Sequence, residues 1–508
     1  MSADVLVVGA GPTGLVLALW LKRSGVDVRI VDRAPGPGTT SRALAVLART
    51  LENYRQLGLA DEVVARGFEM RAANLWVRGE HAARVPLGDI GKGMSPFPFV
   101  VIYPQDEHEE LLIEWLRREG VEVKRSTELV RLEERDDIVI ATTKRADGAE
   151  TTDEAAFVAG CDGAHSKVRE LCGIGFPGST YEHVFYVADV EIGGPVDNGE
   201  IHVGLDEADL LVIFPMKGKH RARLIGTVRK DAEDRRDLAL EDVSRQAVDR
   251  LGVEIRAAHW FSTYRVHHRV AASFGRGRMY VAGDAAHIHS PVGGQGMNTG
   301  VGDAVNLAWK IAEVVRGRAS ATLLDSYEPE RIRFARRLVA TTDRAFTVAT
   351  RRSALARWVR VGIVPRVAPA LASRDVFRRF AFRTISQIMV EYRKGPLAEG
   401  KAGNICGGDR LPWVEPTSTG GADNFTPLAS RAWQVHLHGE APNDLRNACE
   451  SLGLALETFA WSEKASVAGY LENAAYLVRP DGYVALADAD AGADALRAYA
   501  RRHELRWR

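Results

Sequence analysis

The sequence predicts a mixed α/β chain: a mostly parallel sheet wrapped by helices, an antiparallel sheet inserted into it, and a compact α/β module at the C-terminal end. Three observations carry this prediction. Residues 5–8 are a continuous apolar run that stops on glycines and leads into a helix pattern, as a parallel strand covered on both faces does. Between residues 181 and 265 short strand-like runs follow one another with a single helix among them. A further apolar run, residues 278–282, stops on Gly283-Asp284 and opens through a glycine-rich loop into a helix pattern. That pattern places Val301, Val305, Ala308, Ala312 and Val315 on one stripe.

The bulk properties set outer limits. The 508 residues suffice for two or three domains, and 46% hydrophobic with 26% charged residues is the balance of an ordinary globular protein. Lys plus Arg (67) equals Asp plus Glu (67), so no overall field favours nucleic acid or a membrane surface. The four cysteines, Cys161, Cys172, Cys406 and Cys449, form no C-x-x-C. That argues against a disulfide framework or a structural zinc and fits a reducing cytoplasm. A strand pattern starts within four residues of Met1, which leaves no room for a signal peptide, and no run is long enough for a membrane span.

In chain order, the first strand runs into Gly9-Ala10-Gly11-Pro12-Thr13-Gly14, a G-x-G-x-x-G, then into a helix over residues 15–23. A second strand over residues 26–31 ends on Asp32, followed by Arg33. Gly9 permits the tight turn, Gly11 lets a pyrophosphate approach the backbone, and Gly14 lets the helix sit on the strand. Asp32 stands where a carboxylate accepts hydrogen bonds from a ribose. Arg42 follows a Pro-Gly turn at the carboxyl end of the second strand, the side on which such sheets bind ligands. Gln105 opens another helix. A meander over residues 128–159 ends at Cys161-Asp162-Gly163, with Ser166 and Arg169 close behind.

The inserted sheet, residues 181–265 with help from 76–100, suits the wall of a substrate pocket. Val212 and Phe214 share a strand face by alternation, and Phe97 lies in an apolar loop with Phe99. Each is a candidate substrate contact, although core packing explains each of them too. The arginine-rich stretch 330–390 reads as helices packed on the core or on a second subunit, in preference to a membrane-binding surface. Residues 394–408 read as a linker. A hairpin in the last module turns at Pro480-Asp481-Gly482.

Three motifs at these separations resemble the class A flavoprotein monooxygenases, the aromatic hydroxylases. They are Gly9–Gly14 with Asp32, then Asp162-Gly163 with Arg169, then Gly283-Asp284 leading to Pro291 and the run 293–298. The resemblance covers about residues 1–395. The C-terminal stretch YLVRPDGYVAL is similar to the thioredoxin-like appendage of the phenol hydroxylase and bacterial polyketide hydroxylase branch, here without C-x-x-C. The resemblance implies a Rossmann-like FAD-binding domain in two parts (1–180 and 266–395), the substrate sheet (181–265) and a thioredoxin-like domain (396–508).

It also implies roles. Gly9, Gly11, Pro12, Thr13 and Gly14 would border the FAD pyrophosphate, and Asp32 with Arg33 the adenosine end. Arg42, Gln105 and Asp284 would meet the ribityl and pyrophosphate portion. Pro291, Gly294, Gly296, Met297 and Asn298 would face the isoalloxazine, with Pro291 nearest the chemistry. Asp162 and Arg169 would serve FAD and a transient NADPH or NADH. The implied reaction is hydroxylation of a phenolic, polyketide-like ring by O2 through a flavin C4a-hydroperoxide, with a homodimer as one possible assembly. Baeyer–Villiger oxidation, epoxidation or simple flavin reduction would use the same scaffold. A halogenase is disfavoured, because no two of the ten tryptophans are spaced W-x-W. His287 and His289 beside the loop read as structural hydrogen-bonders in preference to catalysts.

Overall fold

The computed structural model describes residues 2–38, 43–205, 210–228, 235, 238–243, 245–290, 294–350, 362–363, 366–367, 370, 374–416 and 422–507. For residues 181–183, 245–247, 266 and 343–350 it describes the backbone alone. Two of the expected contacts, Arg42 and Pro291, lie outside the described residues. So does most of the arginine-rich stretch 351–373.

The central sheet runs in the order 275–276, 279–281, 150–160, 2–8, 28–31 and 123–124. Ser2–Val8 lies parallel to Val28–Val31 and to Glu150–Gly160, which in turn lies parallel to Met279–Val281. Val5–Val8 are buried on both faces, which is why the run carries no polar alternation. The helix Pro12–Arg23 packs on this sheet and against a second helix, Gly296–Val315. Ile138–Arg145 and Thr127–Arg135 extend the sheet as an antiparallel meander.

The register does something no single motif reveals. Val8 pairs with Val31 and with Gly160, and Gly160 pairs with Val281. Four strands therefore end level. Gly9, Asp32, Asp162 and Gly283-Asp284 emerge together at one edge, the carboxyl edge where such sheets bind ligands.

The second sheet has eight strands. Glu254–Val270, Gly178–Gly193, Arg221–Thr227, Leu210–Pro215 and Ile201–Leu205 form its antiparallel body. The hairpin Ala72–Val77 and Glu80–Pro86 adds through a parallel pairing with Ile201–Leu205, so the contribution from early sequence starts before residue 76. One face is sealed: Leu211, Ile213, Ala222 and Leu224 pack under Val243, Val248 and Leu251. The other carries Val203, Val212, Phe214 and Ile225, all half-buried.

The C-terminal module is a mixed six-stranded sheet. Gln434–His438 lies one strand in from an edge, parallel to the edge strand Ala455–Phe459 and antiparallel to Ala475–Val478. The expected linker 394–408 is partly strand instead. Glu399–Ala402 pairs with Val484–Asp488, because the polar-looking Glu399-Gly400 backbone completes the sheet edge. Helix Asp375–Ile385 packs on the core through Phe382, whose ring fills the space beside Gly91. No helix among the described residues is long and apolar enough to cross a membrane.

Candidate cofactor and active site

The glycine turn at the end of the first strand is shaped by contacts on one side and open on the other. Gly9 has φ +103°, and a Cβ there would lie 2.3 Å from the Cys161 carbonyl oxygen. A Cβ on Gly14 would lie 2.0 Å from the Gly9 oxygen, so helix and strand touch at that point. Gly11 is different: nothing stands within 4 Å of a Cβ built on it. The space in front of Gly11 is a cradle, and the first-turn N–H groups of Thr13 and Gly14 have no intrahelical acceptor. Pro12 has no N–H to leave unmatched there.

Asp32 closes the turn from the neighbouring strand. Its carboxylate accepts the Ala10 N–H at 2.6 Å and the Ala34 N–H at 2.7 Å. Each oxygen keeps a second lone-pair direction, and Arg33 beside it is exposed. Gln105 donates to Glu109 at 2.8 Å, and Glu109 accepts the Gly38 N–H at 3.1 Å. The helix Gln105–Arg118 thus holds the chain that leaves the second strand.

The Asp162 and Arg169 pair does more building than the sequence suggests. Asp162 Oδ2 accepts the N–H groups of Lys167 (2.6 Å) and Val168 (3.1 Å), satisfying the start of the helix Lys167–Leu171. Its Oδ1 is buried without a hydrogen-bond partner. Arg169 donates to the Ala285 and Ala164 carbonyls at 2.7 and 2.8 Å and lies 3.8 Å from the centre of the Phe176 ring. Its guanidinium bolts this loop to the Gly283–Ala285 turn.

Thr13 is likewise a wedge. A Cβ on Gly283 or Gly300 would come within 2.5 or 2.3 Å of the Thr13 hydroxyl, so both glycines exist to let Thr13 in. Asp284 in that turn is exposed at the strand edge.

The floor beyond it is fixed by Asn298. Its Oδ1 accepts from Leu47 N–H (3.0 Å) and Thr50 Oγ1 (2.7 Å), and its Nδ2 donates to the Ala45 and Gly294 carbonyls, both at 2.8 Å. The side chain is fully used inside the protein, which leaves its backbone N–H as the group open to a ligand. The helix begins at Gly296, and its first-turn N–H groups, on Gly296, Met297 and Asn298, point out of it. Their partial positive charge suits an anionic ligand. Behind the loop, Ser290 Oγ and His289 Nε2 are buried without partners. Burial, with help from His287, pushes His289 down to about 4, so it is neutral near pH 7.

Sequence reasoning missed the network underneath. Asp303 Oδ2 accepts the Gly283 N–H at 3.0 Å and bonds His287 Nε2 at 2.6 Å, while Oδ1 accepts Arg331 Nε at 2.6 Å. Burial alone would raise the Asp303 carboxyl, but the Arg331 guanidinium and then His287 hold it below the usual value. Arg331 also donates to the Tyr392 hydroxyl (2.8 Å) and the Thr299 carbonyl (3.1 Å). Gln387, at φ +60°, donates to Thr299 Oγ1 at 2.9 Å from the far side. His287 is thus the structural histidine the sequence suggested. Asp303 carried one available signal: a charged residue between Val301 and Val305, inside the apolar stripe.

Of the expected substrate contacts, Phe214 fits best. It packs at the edge of a cluster of Leu44, Ala45, Leu47, Met70 and Ile102, the same segment that Asn298 holds. Phe214 therefore touches the same 44–47 segment that Asn298 anchors, and Val212 lies two residues along on its strand face. Phe97 is a core residue, 8% exposed, with its ring edge-on to Phe99 at 6.4 Å. Among the described residues no group of His, Cys, Asp or Glu is arranged to hold a metal ion.

Comparison with known proteins bears on this arrangement directly. Residues 2–342 match the family described as FAD binding domain, and residues 406–503 match that described as aromatic-ring hydroxylase, C-terminal. A 6-methylpretetramide 4-monooxygenase from Streptomyces rimosus is 38% identical over 80% of this chain and 72% of its own length. A dialkyldecalin synthase from Streptomyces rugosporus is 33% identical over 96% of both chains. The anhydrotetracycline hydroxylase OxyS from Streptomyces rimosus superposes with a TM-score of 0.79 over 100% of both chains at 27% identity.

Proposed function

The chain belongs to the FAD-dependent aromatic-ring monooxygenases, and on that premise we propose that it hydroxylates a phenolic, polycyclic, polyketide-like substrate with O2, drawing electrons from NADPH or NADH. The carrying observation is the level ending of four strands, which brings Gly9, Asp32, Asp162 and Gly283-Asp284 to one edge. FAD fits the residues there: open space at Gly11, free first-turn N–H groups on two helices, and buried unpartnered polar atoms at Asp162, His289 and Ser290. When bound, FAD supplies the activation of dioxygen, and the protein supplies place and shelter.

In this reading Gly9, Gly11, Thr13 and Gly14 line the pyrophosphate through backbone, and Asp32 offers its outward lone pairs to the ribose. Arg42, Gln105 and Asp284 flank the middle of the cofactor. Gly294, Gly296, Met297 and the Asn298 backbone face the ring system with Pro291. The N-terminus of Gly296–Val315 favours negative charge by up to about 2 kcal/mol. No side-chain nucleophile is required. The sheet face of Val203, Val212, Phe214 and Ile225 offers a planar substrate apolar area and excludes water from the floor.

The test is direct. The purified protein should be yellow or become so with added FAD. It should consume NAD(P)H and O2 faster when given a panel of phenols and polycyclic quinones, and one ¹⁸O atom should enter a product. The full-length similarity to a dialkyldecalin synthase favours a second reading, an FAD-holding enzyme whose product gains no oxygen. Product mass separates the two.

A further inference from the structure

The C-terminal module lies outside the cofactor motifs, yet buried charge ties it to the floor of the site. The path begins at Asn298, two of whose four bonds go to Leu47 N–H and Thr50 Oγ1, at the first turn of the helix Ala48–Gln56. That helix also carries Arg49 and Glu52, both buried. Arg410, from the C-terminal module, grips the Glu52 carboxylate with two donors, Nε to Oε2 at 2.8 Å and Nη2 to Oε1. Arg49 donates to the same carboxylate at 3.0 Å and to the Asp481 carbonyl of the Pro-Asp-Gly hairpin at 2.6 Å.

Glu52 also reaches the loop that carries Phe97. Ser95 donates to its Oε1 at 2.7 Å, and Arg410 donates to the Met94 carbonyl at 3.2 Å, both in that loop. A second path arrives from the other side. Arg331, which donates to the Thr299 carbonyl at the start of the floor helix, also donates to Tyr392, whose ring lies tilted against Tyr483 with centroids 4.3 Å apart. Tyr483 follows the hairpin directly and bridges to Arg410. Both paths from the floor therefore end on the same short stretch of the C-terminal sheet.

We propose that Arg410 is a positioning residue for the flavin floor: through Glu52 it sets the seat of the helix whose first turn anchors Asn298, and with it the loop 294–298. The chemistry favours this role over simple adhesion. A planar guanidinium fixes a carboxylate in direction as well as distance, which an apolar contact does not. Packed interiors pass on small displacements, because there is no free volume to absorb them. Gly294 is already in close contact, since a Cβ there would lie 2.9 Å from the Ala45 methyl. Loss of Arg410 still leaves Glu52 paired with Arg49, so no buried charge is stranded while the seat loosens.

This inference rests on the cofactor reading above, and its test separates the two. The full-length Arg410→Met protein is titrated with FAD alone, following flavin fluorescence and the visible band of the bound cofactor. Binding of FAD is expected to weaken at least tenfold, with a shifted visible band. Arg410→Lys, which keeps the charge but cannot make the two-donor grip, should fall between Met and wild type, and it carries the test if the Met variant does not fold. The control is Leu445→Ala, a core cavity in the same module away from this path. It should lower thermal stability while leaving FAD affinity within twofold of wild type. The proposal is overturned if the Arg410 variants hold FAD as tightly as wild type, or if Leu445→Ala weakens FAD by the same factor. A wild-type chain that binds no FAD would sink the cofactor reading itself, and this one with it.

Discussion

The floor and the ceiling of the candidate site are built on opposite principles. The floor is held by buried polar groups whose bonds are nearly all spent: Asn298 makes four, and Asp303 serves Gly283, His287 and Arg331 at once. The ceiling presents Val203, Val212, Phe214 and Ile225, half-buried apolar side chains with the buried Arg223–Asp189 ion pair at one end, on a sheet whose other face is sealed. Directional bonds fix a cofactor to a fraction of an ångström, whereas apolar area accepts many planar shapes at similar cost.

The most damaging way to break the contrast is Asp303→Asn. It leaves the Arg331 charge buried without its carboxylate, and thermal or urea unfolding should show a loss of about 3–5 kcal/mol. Gly11→Ala is more selective. Its backbone angles suit alanine and its Cβ meets nothing, so the protein without cofactor should melt as wild type does. FAD titration should nonetheless show about a 100-fold weaker complex, about 2.7 kcal/mol. On the ceiling, Phe214→Ala should cost about 1–2 kcal/mol of stability. It should change KM for the aromatic substrate while FAD affinity stays within twofold.

Acid is the gentlest probe. His289 sits at about 4 in the folded chain, against about 6.5 unfolded, so the unfolded state binds the extra proton between those values. Its contribution is whole above pH 6.5 and is lost as pH falls towards 4, by about 1 kcal/mol at pH 5.5. His289→Asn should flatten that part of a stability–pH curve. Ceiling variants should leave it unchanged.

Much of the site was legible in the chain. The G-x-G-x-x-G, Asp32, Asp162-Gly163 and Gly283-Asp284 could be read because each is a local device, a turn or a strand end whose residue types answer to backbone geometry nearby. The roles of Thr13, Arg169 and the Asn298 side chain were not legible. Each makes its decisive contact with a residue far away in sequence, such as Gly283, Ala285 or Leu47. The same distance hid Arg331, which reads as one more solvated arginine in a basic helix, and the strand character of Glu399–Ala402, which a distant partner strand creates.

By itself, then, the sequence determined that a parallel βα unit with a phosphate-approaching turn would form, and that an antiparallel insert and a hairpin-bearing module would follow. These are consequences of periodicity and of glycine, which act over a few residues. Only the tertiary structure decided that four strand ends stand level, that Phe214 packs on the 44–47 segment while Phe97 is buried, and that Arg410 reaches Glu52. Those are questions of register and packing, settled by which long-range contacts bury the most surface while leaving the fewest polar groups unmatched.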